Sequence, residues 1–177
     1  MKQLIWLFSL VFCAGVAAQE APEWPTQDGV VTVIWQQPEE YADVRTGSGL
    51  QSRYQNHVFA TLGKELQKSV TPLLQEGQQA RFVVTDLDLA GDVRPSFGAA
   101  SSDIRIVKSI YPPRIKFSYS IVGPDGQVVA LGEEDLRDMG FDSRPATRHQ
   151  NEALRYEIRM LDEWVRRHLA KTLDAEG

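Results

Sequence analysis

Arg81-Phe-Val-Val-Thr-Asp-Leu-Asp-Leu-Ala-Gly-Asp92 is the stretch whose reading decides the arrangement of the rest. It opens as an apolar strand and closes on three closely spaced carboxylates. Side chains alternate along a strand, so unbroken alternation puts Phe82 and Val84 on one face, and Val83, Thr85, Leu87 and Leu89 on the other. Asp86 and Asp88 then share the face of Phe82 and Val84, which becomes half apolar and half acidic. Two carboxylates so spaced can converge on a cation, an arginine or a polar ligand. They can equally pair with arginines or cap the turn that Ala90-Gly91 permits, and ion pairing is the commoner use.

Working outward, a chain of 177 residues is read as one domain, and its net charge of −5 argues against a nucleic-acid partner, which needs a basic face. Lys2, the apolar run Leu4 to Val16 and the small residues Val16-Ala17-Ala18 have the form of a Sec-type signal peptide. Cleavage is expected after Ala18, which removes residues 1–18, leaves 19–29 as a flexible lead-in, and places a domain of residues 30–177 in the periplasm. Phe12 stands where a lipoprotein signal wants a small residue, so Cys13 is expected to pack in the apolar run and not to carry lipid. No cysteine then remains for disulfide or thiolate chemistry. No later apolar run is long enough to span a membrane.

Val30-Val-Thr-Val-Ile-Trp35 is a strand by its β-branched density, ended by Pro38. Leu50, Tyr54, Val58, Leu62, Leu66 and Val70 form the apolar stripe of a helix for which Ser48 is the expected N-cap. Asp103-Ile-Arg-Ile-Val107 alternates as a strand, broken by Tyr111-Pro-Pro-Arg114. Ile115 to Ile121 alternates cleanly, Pro124-Asp125-Gly126 is a hairpin turn, and Gln127 to Leu131 pairs back. Gly132 to Pro145 reads as an irregular, solvated acidic loop. Thr147 to Leu173 reads as a helix with Leu154, Ile158, Leu161, Val165, Leu169 and Leu173 inward, and Glu157, Arg159 and Asp162 in solvent.

The fold expected is α+β: a single layer of mostly antiparallel sheet, about five strands in the order β-α-β-β-β-β-α, with two amphipathic helices on one face. The first strand–helix–strand unit can add one parallel pair.

Familiar catalytic signatures are missing, and His57, His149 and His168 lie far apart in sequence. An acid–arginine theme recurs instead, in Asp43/Arg45, Asp86/Asp88/Asp92 with Arg94, Asp103/Arg105, and Arg114. If Arg105 or Arg114 lies beside Asp86 and Asp88, fork-like pairs form, either holding the fold or binding an anionic ligand. Trp35, Tyr41 and Tyr111 could wall such a pocket, although aromatics beside strands are more often core. The ligand-binding candidates are thus Asp43, Arg45, Asp86, Asp88, Arg105, Arg114, Trp35 and Tyr41. A metal site would use Asp86, Asp88 and Asp92, whose oxygens suit Mg²⁺ or Ca²⁺.

Thr32-Val-Ile-Trp35, Pro38-Glu with Tyr41-x-Asp43-x-Arg45, Thr85-Asp-x-Asp-Leu-Ala-Gly91, Asp103-Ile-Arg-Ile-Val107, Tyr111-Pro-Pro-Arg114 and Arg155-Tyr-Glu157 resemble an exported bacterial family, domain of unknown function 3016. The resemblance implies export and a single domain, and it implies no activity, cofactor or catalytic residue. The leading expectation is an exported, non-enzymatic binding or envelope accessory domain, engaging an envelope protein or a small anionic ligand, without a cofactor. The alternatives are a divalent-metal-dependent hydrolase using Asp86 and Asp88 (with Asp92 or Asp103), and a protein whose Asp/Arg pairs only hold the fold.

Overall fold

The computed structural model describes residues 29–47, 49–94, 104–144 and 152–176. The expected signal peptide with Cys13, most of the expected lead-in, the expected Ser48 cap, Asp103 and the expected helix start at Thr147 lie outside the described residues.

The fold is α+β. A four-stranded sheet has the order β1-β2-β5-β6, from β1 (Val31–Trp35), β2 (Gln79–Asp88), β5 (Arg114–Val122) and β6 (Val128–Arg137). β3 (Asp92–Arg94) and β4 (Ile104–Ile106) form a separate two-stranded ribbon. β1 and β2 are parallel, joined by α1 (Gln51–Val70), and the remaining sheet pairs are antiparallel. The C-terminal helical element runs through α2 (Arg155–Trp164), a π turn (Val165–Leu169) and α3 (Ala170–Glu176).

The central strand departs from unbroken alternation. Val84 pairs with Phe117 and Asp86 with Lys116, so Thr85 is an extra residue, a β-bulge. One inserted residue exchanges the faces of everything after it. Leu87 and Leu89 therefore join Phe82 and Val84 in the core, all at 2% exposure or less, and Asp86 and Asp88 turn to the opposite face. The half-apolar, half-acidic face expected from the sequence does not exist.

The core lies between one sheet face and the helices. Trp35 stacks on Phe59 of α1 at 4.5 Å between ring centroids, and Phe82, Phe117 and Tyr119 surround Trp164 of α2. Each such fully buried aromatic contributes about 1.5–3 kcal/mol by leaving water. Val58, Leu62, Leu66 and Val70 of the expected stripe are buried. Leu50 is the N-cap of α1 and exposed, with no side-chain capping bond there. Gln51 instead ties the preceding loop, accepting from the Thr46 amide and donating to the Val44 carbonyl.

Two further expectations are corrected. Gly132 to Arg137 is not loop but the second half of β6, where Glu133, Glu134 and Asp135 pair with Ser118, Phe117 and Lys116. An edge strand needs only main-chain partners on one side, so polar residues serve. Beyond it, Asp138 and Phe141 are buried, Phe141 edge-on to Tyr156 at 4.8 Å. On α2, Glu157, Arg159 and Asp162 are buried and not in solvent, because the helix is wedged between the sheet, α1 and the segment after β6. Each finds a polar partner: the Ala90 amide for Glu157, the Phe141 carbonyl for Arg159, and the Ser69 hydroxyl for Asp162.

Candidate functional site

The acid–arginine residues separate into two groups. The first surrounds Asp43, which follows the Pro38–Glu40 turn and bridges in parallel to Asp88 at the end of β2. The Asp43 amide donates to the Leu87 carbonyl and the Leu89 amide to the Asp43 carbonyl, so the loop acts as a short extension of the sheet. The Asp43 carboxylate is 9% exposed. It accepts from Arg105 Nη1 at 3.0 Å, from Arg45 Nε at 3.2 Å and from the Arg45 amide at 3.1 Å. Arg105 also donates to the carbonyl oxygens of Arg45 at 2.9 Å and Gly91 at 3.2 Å, with longer contacts to Leu89 and Ala90. One guanidinium thus joins the loop, the end of β2 and the β3–β4 ribbon. Arg45 approaches Asp92 at 3.7 Å, and Arg94 pairs with Asp92 and donates to the Tyr111 hydroxyl.

The second group stands on the sheet face opposite the helices, where the bulge sends it. Cross-strand pairing sets Asp86, Lys116 and Asp135 in one row, and Asp88, Arg114 and Arg137 in the next. Arg114 grips Asp135 diagonally with Nε at 2.6 Å and Nη2 at 2.5 Å, and that hydrogen bonding holds the Asp135 carboxyl below its ordinary value. Asp86 accepts the Ala42 amide at 3.0 Å and lies 4.0 Å from Lys116. Burial, followed by the neighbouring charges of Asp43 and Asp86, raises the Asp88 carboxyl above its ordinary value. An open groove of about 460 Å³ on this side is lined by Thr85, Lys116, Ser118, Glu133 and Asp135 among others.

Neither Arg105 nor Arg114 forms a fork with Asp86 or Asp88. Arg105 bonds Asp43, and Arg114 bonds Asp135. Trp35 and Tyr41 belong to the core, Trp35 being 1% exposed and the Tyr41 hydroxyl donating to the Val84 carbonyl at 2.8 Å. Burial, then the Asp86 and Glu39 charges, pushes the Tyr41 phenol far upward. Asp86 and Asp88 sit on the sheet and Asp92 on the ribbon. Among the described residues no three histidine, cysteine, aspartate or glutamate side chains are grouped to hold a metal ion. The candidate donors fit such an ion poorly, since Asp86 takes up a backbone amide and Asp92 is held by arginines.

Asp135 and Arg137 escaped the sequence reading because Gly132 to Pro145 has the composition of a loop, and Lys116 because only the bulge sets it opposite Asp86. So did Glu157, whose carboxyl accepts the Ala90 amide at 2.7 Å and is raised by burial.

Among known proteins, a 2.35 Å crystal structure of a minor lipoprotein from Acinetobacter baumannii is similar over 66% of this chain and 85% of its own, at 6% identity. Its TM-score of 0.26 is too low to carry an argument about fold or function. No curated protein matches the sequence. The family model described as "Protein of unknown function (DUF3016)" matches residues 29–167, most of the chain, and the chain belongs to that family.

Proposed function

We propose that this protein is an exported, non-enzymatic binding domain of the cell envelope that engages a polar partner through the helix-free face of its sheet. The observation that carries the reading is the pair of charged rows Asp86–Lys116–Asp135 and Asp88–Arg114–Arg137 beside an open groove. Asp43 and Arg105 already engage one another and the surrounding backbone, which suits them to hold the fold. The rows keep charge of both signs in contact with water, so they suit a partner of complementary charge, bound rapidly and with strong salt dependence. Export is supported by the signal-like run from Lys2 to Ala18, and the lack of familiar catalytic signatures supports binding over catalysis.

The test is a titration of isotope-labelled protein with fractions of a periplasmic extract, followed by amide chemical shifts. Shifts clustered at residues 85–88, 114–118 and 133–137, suppressed by salt and lost in a folded Lys116→Glu/Asp135→Lys variant, are the expected result. Shifts confined to the helix side, or none with any fraction, would contradict the reading.

A further inference from the structure

We propose that the open cleft between the end of β6 and the π turn is a binding site for a small organic anion bearing a carboxylate or phosphate group. The cleft has a volume of about 480 Å³, and Arg137, Met139, Met160, Trp164, Arg167 and His168 are among the residues that line it. That volume falls within the range of small-molecule sites, about 300–1,000 Å³.

Its acids are neutralised by the protein itself. Arg144 reaches Asp138 at 3.2 Å and Glu163 at 2.6 Å, Arg159 adds a second contact to Asp138 at 3.4 Å, and Asp135 is occupied by Arg114. Arg137 belongs to the row of Asp88 and Asp135, while Arg167 and His168 make no ion pair among the described residues, so the charge left uncompensated in the cleft is the Arg167 guanidinium. Met139 is 65% exposed and Met160 buried, and together they offer an adaptable apolar wall for the body of a ligand whose charge meets Arg167.

A second observation concerns the backbone. The Ala170 amide bonds the Val165 carbonyl five residues back, closing the π turn that carries both Arg167 and His168. Such turns are rare and recur at functional sites. Trp164, the residue before the turn, lines the same cleft and buries an indole N–H that has no hydrogen-bond partner among the described residues. An unmade buried hydrogen bond is costly, and native proteins retain few of them. Asp135 and Arg137 border both the cleft and the charged rows, but Arg167 and His168 stand outside the rows, so variants at those two positions test the cleft without touching the sheet face.

The experiment uses isotope-labelled protein recovered after expression of the full chain, with inorganic phosphate and citrate as probes and chloride as the ionic-strength control. Saturable shifts at Met139, Gly140, His168 and the Trp164 indole with one or both probes are expected. Saturation by phosphate assigns phosphoryl recognition, and saturation by citrate alone assigns carboxylate recognition. Arg167→Gln/His168→Gln alters exposed side chains and is expected to weaken binding about ten-fold or more, about 1.4 kcal/mol. Arg53→Gln, an exposed cation on α1, should leave binding unchanged. The proposal is overturned if neither probe gives a saturable shift in the millimolar range, or if the double variant binds as the parent does.

Discussion

Asp86 stands directly across the sheet from Lys116, its carboxylate 4.0 Å from the ammonium on the helix-free face. That relationship exists only because Thr85 is bulged out of the β2–β5 ladder. The same bulge buries Leu87 opposite Ile115. Leu87→Ala is therefore expected to cost about 2–5 kcal/mol in denaturant unfolding, the usual range for emptying a core leucine site. Asp86→Asn, which keeps an acceptor for the Ala42 amide, should stay within about 0.5 kcal/mol. Similar costs at the two positions would place the bulge elsewhere.

Burial raises the Glu157 carboxyl above its ordinary value, and this sets a direction for stability against pH. Between the unfolded value, about 4.3, and the higher folded value, the native state holds more protons than the unfolded chain. Stability therefore falls as pH rises through that window, and the full penalty stands above it. Glu157→Gln should be more stable than the parent at neutral pH, with the gain vanishing as the pH falls to about 4. Glu157→Ala strands the Ala90 amide and should lose about 1–3 kcal/mol. Denaturant unfolding at the two pH values separates these outcomes, and a Gln variant with no pH-dependent advantage would contradict the burial argument.

Gly91 turns the chain from β2 into the ribbon with φ 91°, and a Cβ there would meet the Ile106 carbonyl oxygen at 2.7 Å. Both the left-handed backbone and the contact penalise a side chain, so Gly91→Ala should cost about 1–3 kcal/mol. Because Arg105 lies in β4, the ribbon should loosen with it. Faster amide hydrogen exchange at Ile104–Ile106 is the expected local sign, and an unchanged Tm with unchanged exchange would be the contrary one.

The sequence allowed the β5–β6 hairpin to be read because Asp125-Gly126 marks a turn between alternating strands, and α1 because its apolar residues recur every fourth position. The bulge carried a fainter mark. The buried set Phe82, Val84, Leu87 and Leu89 changes phase between positions 84 and 87, but Val83 fills the pattern and hides the break. The second half of β6 was hidden by composition, since Glu133-Glu-Asp suits a loop better than a strand until an edge position is known. In the acid–arginine theme, the local pair Asp43/Arg45 was visible at i,i+2 spacing. The pairing of Asp43 with Arg105, 62 residues apart, had no local signal. Periodicity likewise misplaced Glu157, Arg159 and Asp162, because one apolar stripe does not reveal that a helix is covered on several sides.

The most direct test is a double-mutant cycle on Asp43 and Arg105, because the account rests on their pair holding loop, strand and ribbon together while binding falls to the exposed rows. Asp43→Ala and Arg105→Ala should each cost about 1–3 kcal/mol, because each leaves part-buried hydrogen-bonding groups short of a partner while Arg45 still contacts Asp43. The double variant should be little worse than either single one, a coupling of about 1–3 kcal/mol. Singles that each cost under about 0.5 kcal/mol, or that simply add, would contradict the structural role and return Asp43 and Arg105 to the candidates for binding.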